Sequence, residues 1–228
     1  MSLGGTGVVA IWHDLAPEAK DAFAEWHNRE HMPERVAIPG FRRGRRYIAT
    51  DGGPEYFNLY EADSPEVLAG AEYLARLNQP TPWTRQAVAS FRNVARGICR
   101  VLYSGGVGQG GAMLTLRFDV TEAAADEVSA LLCEQFLPLL ADAPGIAGVH
   151  LCRADEATSR IETAEKRARS DATQIPRWIV LLEGGADTPL AQAAQALREA
   201  LAPLGAAAFD QACYRLEHQR GKGSAGDR

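Results

Sequence analysis

The sequence has few cysteines, no surplus of positive charge and no long hydrophobic run. Its 228 residues include 4 Cys, which lie far apart and form no Cys-x-x-Cys pair. This excludes a dense disulfide framework and the usual paired-cysteine zinc sites. The 24 Lys and Arg are outnumbered by 29 Asp and Glu, and the net charge of -5 argues against a nucleic-acid partner. No apolar run reaches the roughly 18–20 residues that span a bilayer, and the first residues do not resemble a signal peptide. We therefore expect a cytoplasmic protein with no membrane partner.

An internal repeat divides the chain into two copies. Residues 32–40 resemble residues 137–145 at a constant offset of 105, and no gap is needed over this stretch. Residues 56–61 resemble residues 178–183 at the larger offset of 122. The second copy therefore carries an insertion, which we expect at about residues 156–175, where the chain is highly charged.

Each copy follows the order strand, helix, strand, strand, helix, strand, which is the split βαββαβ order of a ferredoxin-like unit. In the first copy this order rests on predicted strands at 7–14, 41–50, 55–61 and 93–103, and on helices at 17–38 and 65–77. We predict a first half at 1–104, a Gly-rich linker at 105–111, a second half at 112–217 and a disordered tail at 218–228. Helices cover only one face of such a sheet, so the other face must be covered as well. Two tandem copies can cover each other within one chain.

One motif of the first half resembles a known family. The residues Trp26-His27-Asn28-Arg29-Glu30-His31-Met32-Pro33 end a predicted helix, and Ile38-Pro39-Gly40-Phe41 leads into a strand. This combination resembles the EthD-like proteins of the dimeric α+β barrel superfamily. The resemblance implies an α+β fold in which two tandem ferredoxin-like βαββαβ repeats form an intramolecular barrel of the dimeric type. It implies no single activity, because members include monooxygenases, isomerases, dehydratases, decarboxylases and haem enzymes.

The first half carries histidines where the second half has apolar residues. At the offset of 105, His27 corresponds to Leu132 and His31 to Phe136. The two histidines are four residues apart and share one helix face, and Glu30 between them can orient a ring. An imidazole with a pKa near 6.5 suits proton transfer, so His27, His31 and Glu30 are the candidate catalytic residues. Two other interpretations stay open: the second half diverged for better packing, or His31 only stabilises the helix end.

A metal site is a weaker interpretation of the same residues. His27, Glu30 and His31 match the H-x-x-E-H pattern of inverted zincins. That motif needs a long helix and a distant carboxylate ligand, whereas Pro33 follows at once here. We therefore predict no metal.

The strand at 41–50 is rich in arginine. Strand alternation places Arg43 and Arg45 on one face and Arg42 and Arg46 on the other. An arginine that faces the space between the sheets would clamp a carboxylate or enolate, although pairing with surface carboxylates is the ordinary fate of such charges.

Alternation also predicts which residues line the space between the sheets. We expect Val9, Ile11 and Leu59 to face the helices, and Trp12, Asn58 and Tyr60 to face inward. A plain core explains these aromatic residues equally well. The candidate substrate-binding residues are Trp12, Trp26, Arg43, Arg45, Asn58 and Tyr60.

Together these features predict a cofactor-independent enzyme of the isomerase, lyase or dehydratase type. Its ligand would be a small anionic or aromatic metabolite bound between the two sheets. No nicotinamide or flavin motif occurs. The alternatives are a non-catalytic small-molecule-binding or stress-responsive barrel, and a haem-binding member of the superfamily. The molecule is expected to be a monomeric pseudo-dimer or a homodimer.

Overall fold

Eight antiparallel strands form a closed barrel in the computed structural model, which describes residues 3–169 and 172–222. The strands are β1 (Gly7–Leu15), β2 (Phe41–Asp51), β3 (Tyr56–Ala62), β4 (Phe91–Gly105), β5 (Ala112–Asp119), β6 (Ile146–Ala154), β7 (Trp178–Gly184) and β8 (Ala207–Gly221). Their order around the barrel is β1-β3-β2-β8-β5-β7-β6-β4, with β4 pairing back onto β1.

The barrel consists of two equivalent four-stranded sheets. The first half contributes the order β4-β1-β3-β2 and the second half the matching order β8-β5-β7-β6. The two sheets join where β2 pairs with β8 and where β4 pairs with β6. The predicted fold class, two ferredoxin-like repeats in one intramolecular barrel, is therefore confirmed.

The helices lie outside the barrel. They are α1 (Lys20–Trp26), α2 (Met32–Ala37), α3 (Pro65–Leu68), α4 (Ala71–Asn78), α5 (Pro82–Val88), α6 (Ala125–Ala130), α7 (Leu137–Ala141), α8 (Glu156–Arg160), α9 (Ala164–Arg167) and α10 (Asp187–Leu201). Short 3-10 turns at Pro17–Ala19, Glu122–Ala124 and Ala202–Leu204 flank α1, α6 and α10. None of the helices in residues 3–169 and 172–222 has the length and apolar character needed to span a membrane.

The main helix of each half contains a wide turn. α1 continues through a π-helical segment, His27–His31, into α2, and the second half does the same through Leu131–Phe136. The amide of Met32 donates to the carbonyl of His27, five residues back. Proline follows each wide turn, at 33 and 138, and a proline ring has no N–H and clashes with the carbonyl four residues earlier. The π turn relieves that clash.

Apolar side chains fill much of the barrel interior. They include Trp12, Tyr47, Phe57, Met113 and Tyr214, all buried. A second apolar layer lies between the outer face of the barrel and the helices of each half. Both faces of the strands are therefore covered.

The structure refines three expectations about segments. The helix expected at 65–77 is interrupted near Gly70 and becomes α3 and α4. The insertion expected at about 156–175 contains α8 and α9. Residues 218–221, expected in the tail, belong to β8, so the expected start of the tail is corrected, while residues 223–228 lie outside the described part.

Candidate functional site

The histidine pair lies between the main helix of the first half and the outer face of its sheet. His27 and His31 are 2% and 6% exposed, and their ring centroids are 5.6 Å apart. The π-helical segment holds both rings toward the sheet, with Trp26 packed 4.3 Å from the ring of His31. Because the second half has the same wide turn with apolar residues, the turn comes from the repeat and the histidines alone distinguish the first half.

His27 is held at both ring nitrogens. Arg46 Nη1 donates to Nδ1 at 3.2 Å, since a guanidinium can only donate. The neutral ring therefore carries its proton on Nε2, which lies 2.9 Å from the Tyr60 hydroxyl and donates to it. Arg46 is anchored in turn by Glu217 at 2.6 Å.

A third buried histidine, His13, makes polar contacts farther along the same face of the sheet. His13 lies with its ring 4.0 Å from that of Phe91, almost parallel to it. Asn58 Nδ2 donates to His13 Nε2 at 3.0 Å, which leaves the proton on Nδ1 facing the carbonyl of Asp14 at 3.2 Å. Within the described residues the Asn58 Oδ1 atom is buried without a hydrogen-bond partner.

A small cavity lies next to His31. Its volume is about 20 Å³, which is room for one water molecule. Its lining includes Trp26, His27, His31, Asn58, Tyr60 and Phe91. The Nδ1 atom of His31 is buried and has no partner in the part of the chain that the structure describes. A buried polar atom without a partner costs stability, and two such atoms of the first half, His31 Nδ1 and Asn58 Oδ1, belong to residues that line this cavity.

The inserted segment of the second half covers this cavity of the first half. Glu165 in α9 and Arg169 just after it complete the lining. Glu165 accepts a hydrogen bond from Arg35, and both side chains are buried. Further along, Gln174 pairs with the β4 backbone through the amide of Arg96 at 2.8 Å. The two halves therefore share one site.

Three buried histidines of the first half, His13, His27 and His31, are uncharged at neutral pH. Burial lowers the pKa of His13 to about 3. Burial, helped by the neighbouring His31 and Arg46, holds the pKa of His27 well below its usual value. Burial and the charges of Arg35 and Arg169 do the same for the pKa of His31.

Glu30 does not orient either histidine. Its Oε1 atom accepts from the hydroxyls of Thr81 and Thr84 at 2.6 Å and 3.0 Å. Thr84 in turn accepts from Trp26 Nε1 at 3.1 Å. The expected orienting role is therefore corrected: Glu30 ties the main helix to α5 and fixes the Trp26 ring.

Three of the expected binding residues lie inside the barrel, away from His27 and His31. Trp12 stacks on Phe57 with ring centroids 4.9 Å apart and donates to Thr115 Oγ1 at 3.2 Å. Arg43 and Arg45 do share the inward face, as alternation predicts, and both reach Glu61. We expected these arginines to bind the carboxylate of a ligand, but carboxylates of the protein already occupy both of them.

The barrel arginines pair with two buried glutamates. Arg43 Nε lies 2.9 Å from Glu61 Oε1, and Arg45 donates to both oxygens of Glu183 at 2.9 Å and 3.1 Å. Although burial raises the pKa of Glu183, the hydrogen bond from His150 and the charge of Arg45 lower it to about 2. These charges therefore balance one another within the barrel.

The facing predicted for β3 is reversed. Leu59 lies inside the barrel, whereas Asn58 and Tyr60 face the helices and meet the histidines. The strand register explains this, because Val9 pairs with Tyr60 and Ile11 with Asn58, and direct cross-strand partners share a face. The cavity that the histidines line is consequently on the helix side and not between the two sheets.

Sequence reasoning left Arg46, Arg35, Glu165 and Arg169 out of the site. The correct facing of β3 would have placed Arg46 in the site, since Arg46 is the cross-strand partner of Asn58 and shares its face. The insertion offered only its high charge as a signal. Nothing in the repeat indicates that an insertion in one copy covers the other copy.

A metal site finds no support in the contacts. The described residues contain no group of three or more His, Cys, Asp and Glu side chains that could hold a metal ion.

Among the comparisons with known proteins, only solved structures give matches, and they support the fold. No protein-family model and no curated protein matches the chain. Among solved structures, an anthrone oxidase-like protein has a TM-score of 0.65 at 15% identity, covering 98% of this chain and 97% of the other. A proposed monooxygenase from Lactobacillus acidophilus has a TM-score of 0.61 at 10% identity, with coverage of 96% and 97%. A haem-binding protein from Thermus thermophilus has a TM-score of 0.52 at 12% identity, with coverage of 94% and 92%. The chain thus has the dimeric α+β barrel fold, while the narrower EthD-like resemblance stays a prediction.

Proposed function

We propose that this chain is an enzyme that moves a proton on a small, flat, weakly acidic metabolite in the helix-side cavity of its first half. The observation that carries this proposal is the pair of unpartnered buried atoms, His31 Nδ1 and Asn58 Oδ1, at one cavity in the described structure. Both groups reduce stability where the equivalent positions of the second half can be apolar. A binding or catalytic use accounts for their presence.

His31 is the candidate base. With its proton on Nε2, the neutral ring has a free electron pair at Nδ1 that can take a proton from a C–H or O–H bond of the substrate. The resulting imidazolium then returns that proton to another carbon or to a departing hydroxyl group, which gives an isomerase, lyase or dehydratase reaction. A base with a lowered pKa removes only fairly acidic protons, which favours phenols and carbons next to a carbonyl group.

His27 and its neighbours would position the substrate and stabilise charge. The ring is fixed by Arg46 on one side and by Tyr60 on the other, so it serves better as a held donor than as a mobile base. The Tyr60 hydroxyl lies at the cavity and can donate to an oxyanion that forms on the substrate. The aromatic rings of Trp26 and Phe91 suit a flat molecule.

An oxidation is the second candidate. Two proteins of the same fold are named as an anthrone oxidase-like protein and a proposed monooxygenase. The same removal of a proton from a phenol or anthrone would give an electron-rich anion, and dioxygen would be the oxidant. One oxygen atom would form the new carbonyl of a quinone, and the other would leave as water with the two hydrogens that the substrate loses.

A haem-binding role is the third candidate, suggested by the haem-binding protein of the same fold. The residues do not fit a haem as they stand. Both ring nitrogens of His27 are hydrogen-bonded, and the cavity of about 20 Å³ beside His31 would have to open much further for a porphyrin than for a small metabolite. A Soret band after addition of haemin that His31→Phe removes would contradict this assignment.

The test is proton exchange on anthrone, a molecule with a weakly acidic C–H bond. Exchange with D2O is followed by NMR under nitrogen, and consumption is followed in air to detect oxidation. We expect His31→Phe to slow exchange by about 100-fold or more, as loss of a general base does. Phe136→Leu, at the corresponding position of the second half, is the control and should retain the rate.

Each outcome separates the candidates. Exchange that His31→Phe leaves unchanged overturns the role of His31. Binding of anthrone without exchange supports the non-catalytic alternative. Consumption only in air, lost in His31→Phe, supports the oxidation.

A further inference from the structure

The guanidinium of Arg169 is a buried charge with incomplete partners. Its side chain is 4% exposed and lines the cavity beside His31. The Nε atom has no hydrogen-bond partner among the described residues. Nη1 donates to Thr173 Oγ1 at 3.3 Å, and Glu165 Oε1 lies 3.7 Å from Nη2.

Positive charge exceeds negative charge around this end of the cavity. Glu165 is hydrogen-bonded to Arg35, so one carboxylate serves two buried cations. Arg96 is also buried and donates to the Tyr73 hydroxyl at 3.1 Å, an uncharged partner. Glu34 adds a carboxylate 3.4 Å from Arg35, and its side chain is 20% exposed. Among the described residues, three buried guanidinium groups thus face two carboxylates.

Burial of an unbalanced cation is unfavourable unless something compensates it. Burial lowers the pKa of Arg169 to about 10, against the opposing charge of Glu165, so the group still carries its charge at neutral pH. An anion at Nε would supply the missing hydrogen bond and the missing charge together. The adjoining Nε–H and Nη–H groups of arginine match a carboxylate or phenolate oxygen well.

We propose that Arg169 is the anion-binding residue of this site and that the ligand is a monoanion, either a carboxylate or a phenolate, on a flat apolar body. The proposal rests on the function proposed above and adds the substrate class. The anion would thus be bound by the inserted segment and not by Arg43 and Arg45 of the barrel, which are paired with glutamates. Because the cavity holds only about 20 Å³, a ligand requires the side chains above it, Glu165 and Arg169 among them, to move apart.

The experiment compares two probes and two variants on the full chain. Benzoate is the anionic probe and benzyl alcohol is its neutral counterpart. Arg169→Met removes the buried guanidinium, and Arg167→Met removes an exposed arginine two residues earlier with the same loss of charge. Calorimetric titration gives the affinities, and NMR of the histidine side chains reports whether a probe reaches His27 and His31.

We expect Arg169→Met to weaken benzoate binding by about ten-fold or more and to leave benzyl alcohol binding unchanged. Arg167→Met should bind both probes as the unaltered chain does. If Arg169→Met retains benzoate affinity while the histidine signals still respond, Arg169 is not the anion site and the proposed function stands. If neither probe shifts the histidine signals of the unaltered chain, the proposed function fails and this proposal fails with it.

Folding of the variant is a separate readout. Since Arg169 is an incompletely paired buried charge, Arg169→Met should melt at the same temperature as the unaltered chain or higher. If the variant does not fold, the unaltered chain still decides the proposal. Benzoate must then bind at least about ten-fold more tightly than benzyl alcohol, and equal affinities overturn the assignment.

Discussion

Single side chains distinguish the two halves more sharply than their backbones do. The wide helical turn occurs in both copies, yet it presents His27 and His31 in one and Leu132 and Phe136 in the other. Leu132 is fully buried in an apolar core, whereas its counterpart His27 is held by polar contacts with Arg46 and Tyr60. The second half therefore serves as an internal reference for what packing alone requires.

This comparison predicts the effect of exchanging residues between the halves. His31→Phe should raise the free energy of unfolding by about 1 kcal/mol, because it removes a buried polar atom without a partner. Leu132→His introduces a histidine into the second half, at the position that corresponds to His27. This change should lower the free energy of unfolding by about 2 kcal/mol or more. Urea unfolding at neutral pH measures both. A marked loss of stability in His31→Phe would show that His31 has a structural role.

The buried histidines also predict how stability depends on pH. The folded state holds His13, His27 and His31 with lowered pKa values, so it binds fewer protons than the unfolded state. The free energy of unfolding should therefore be largest above about pH 6.5 and should fall as the pH drops toward about 3. Each histidine contributes about 1.4 kcal/mol per pH unit between about pH 6.5 and its own lowered pKa, which is about 3 for His13.

Urea titrations between about pH 7.5 and about pH 5 measure this slope. His31→Phe should have a shallower slope, because one titrating group is gone. Equal slopes for the two proteins would contradict the neutral, buried state of His31.

At the scale of elements, the order of strands and helices followed from the repeat, but the facing of β3 did not. Every side chain of β3 is buried, since one face meets the barrel core and the other meets the helices. Alternation of apolar and polar residues is then absent, and the pattern cannot tell the two faces apart. In β1 both faces are largely buried too, yet the contrast between Val9 and Trp12, read with their counterparts in the second half, gave the correct facing.

The inserted segment makes a prediction at the same scale. Glu165→Gln should lower the free energy of unfolding by about 3 kcal/mol, because it leaves Arg169 without a carboxylate partner among the described residues and Arg35 with Glu34 alone. Glu162→Gln is the matched control in the same segment, since Glu162 is 62% exposed and pairs with Lys166 at 2.7 Å. Its effect should be negligible beside that of Glu165→Gln, because an exposed ion pair contributes little to stability. If both variants lose little stability in urea, the Arg35–Glu165 ion pair does not fix the inserted segment over the cavity.

At the scale of the whole molecule, the sequence was sufficient for the architecture and insufficient for the site. The repeat fixes two similar halves, and the bare face of each sheet demands a partner, so the barrel follows. The site depends on contacts that no local pattern contains, such as Arg46 with His27 and Glu165 with Arg35. These residues are far apart in the chain, and their meeting depends on the closed barrel and on the path of the insertion.

The closed barrel predicts a monomer. In single-copy proteins of this architecture, two chains supply the two sheets, whereas here β2–β8 and β4–β6 pairing uses the outer edges within one chain. Light scattering after size exclusion should give the mass of one chain, 24.6 kDa, at micromolar concentration. Twice that mass would indicate that the helices form a further interface.

The cover supplied by the second half has a consequence for how this molecule can change. In a symmetric homodimer every substitution occurs twice, so an alteration that serves one subunit is imposed on the other. In this fused chain the copies are free to specialise: the first retains the polar chemistry, while the second contributes a lengthened connection that encloses it. The second copy thus acts as an accessory subunit carried on the same polypeptide, always present at a ratio of one to one.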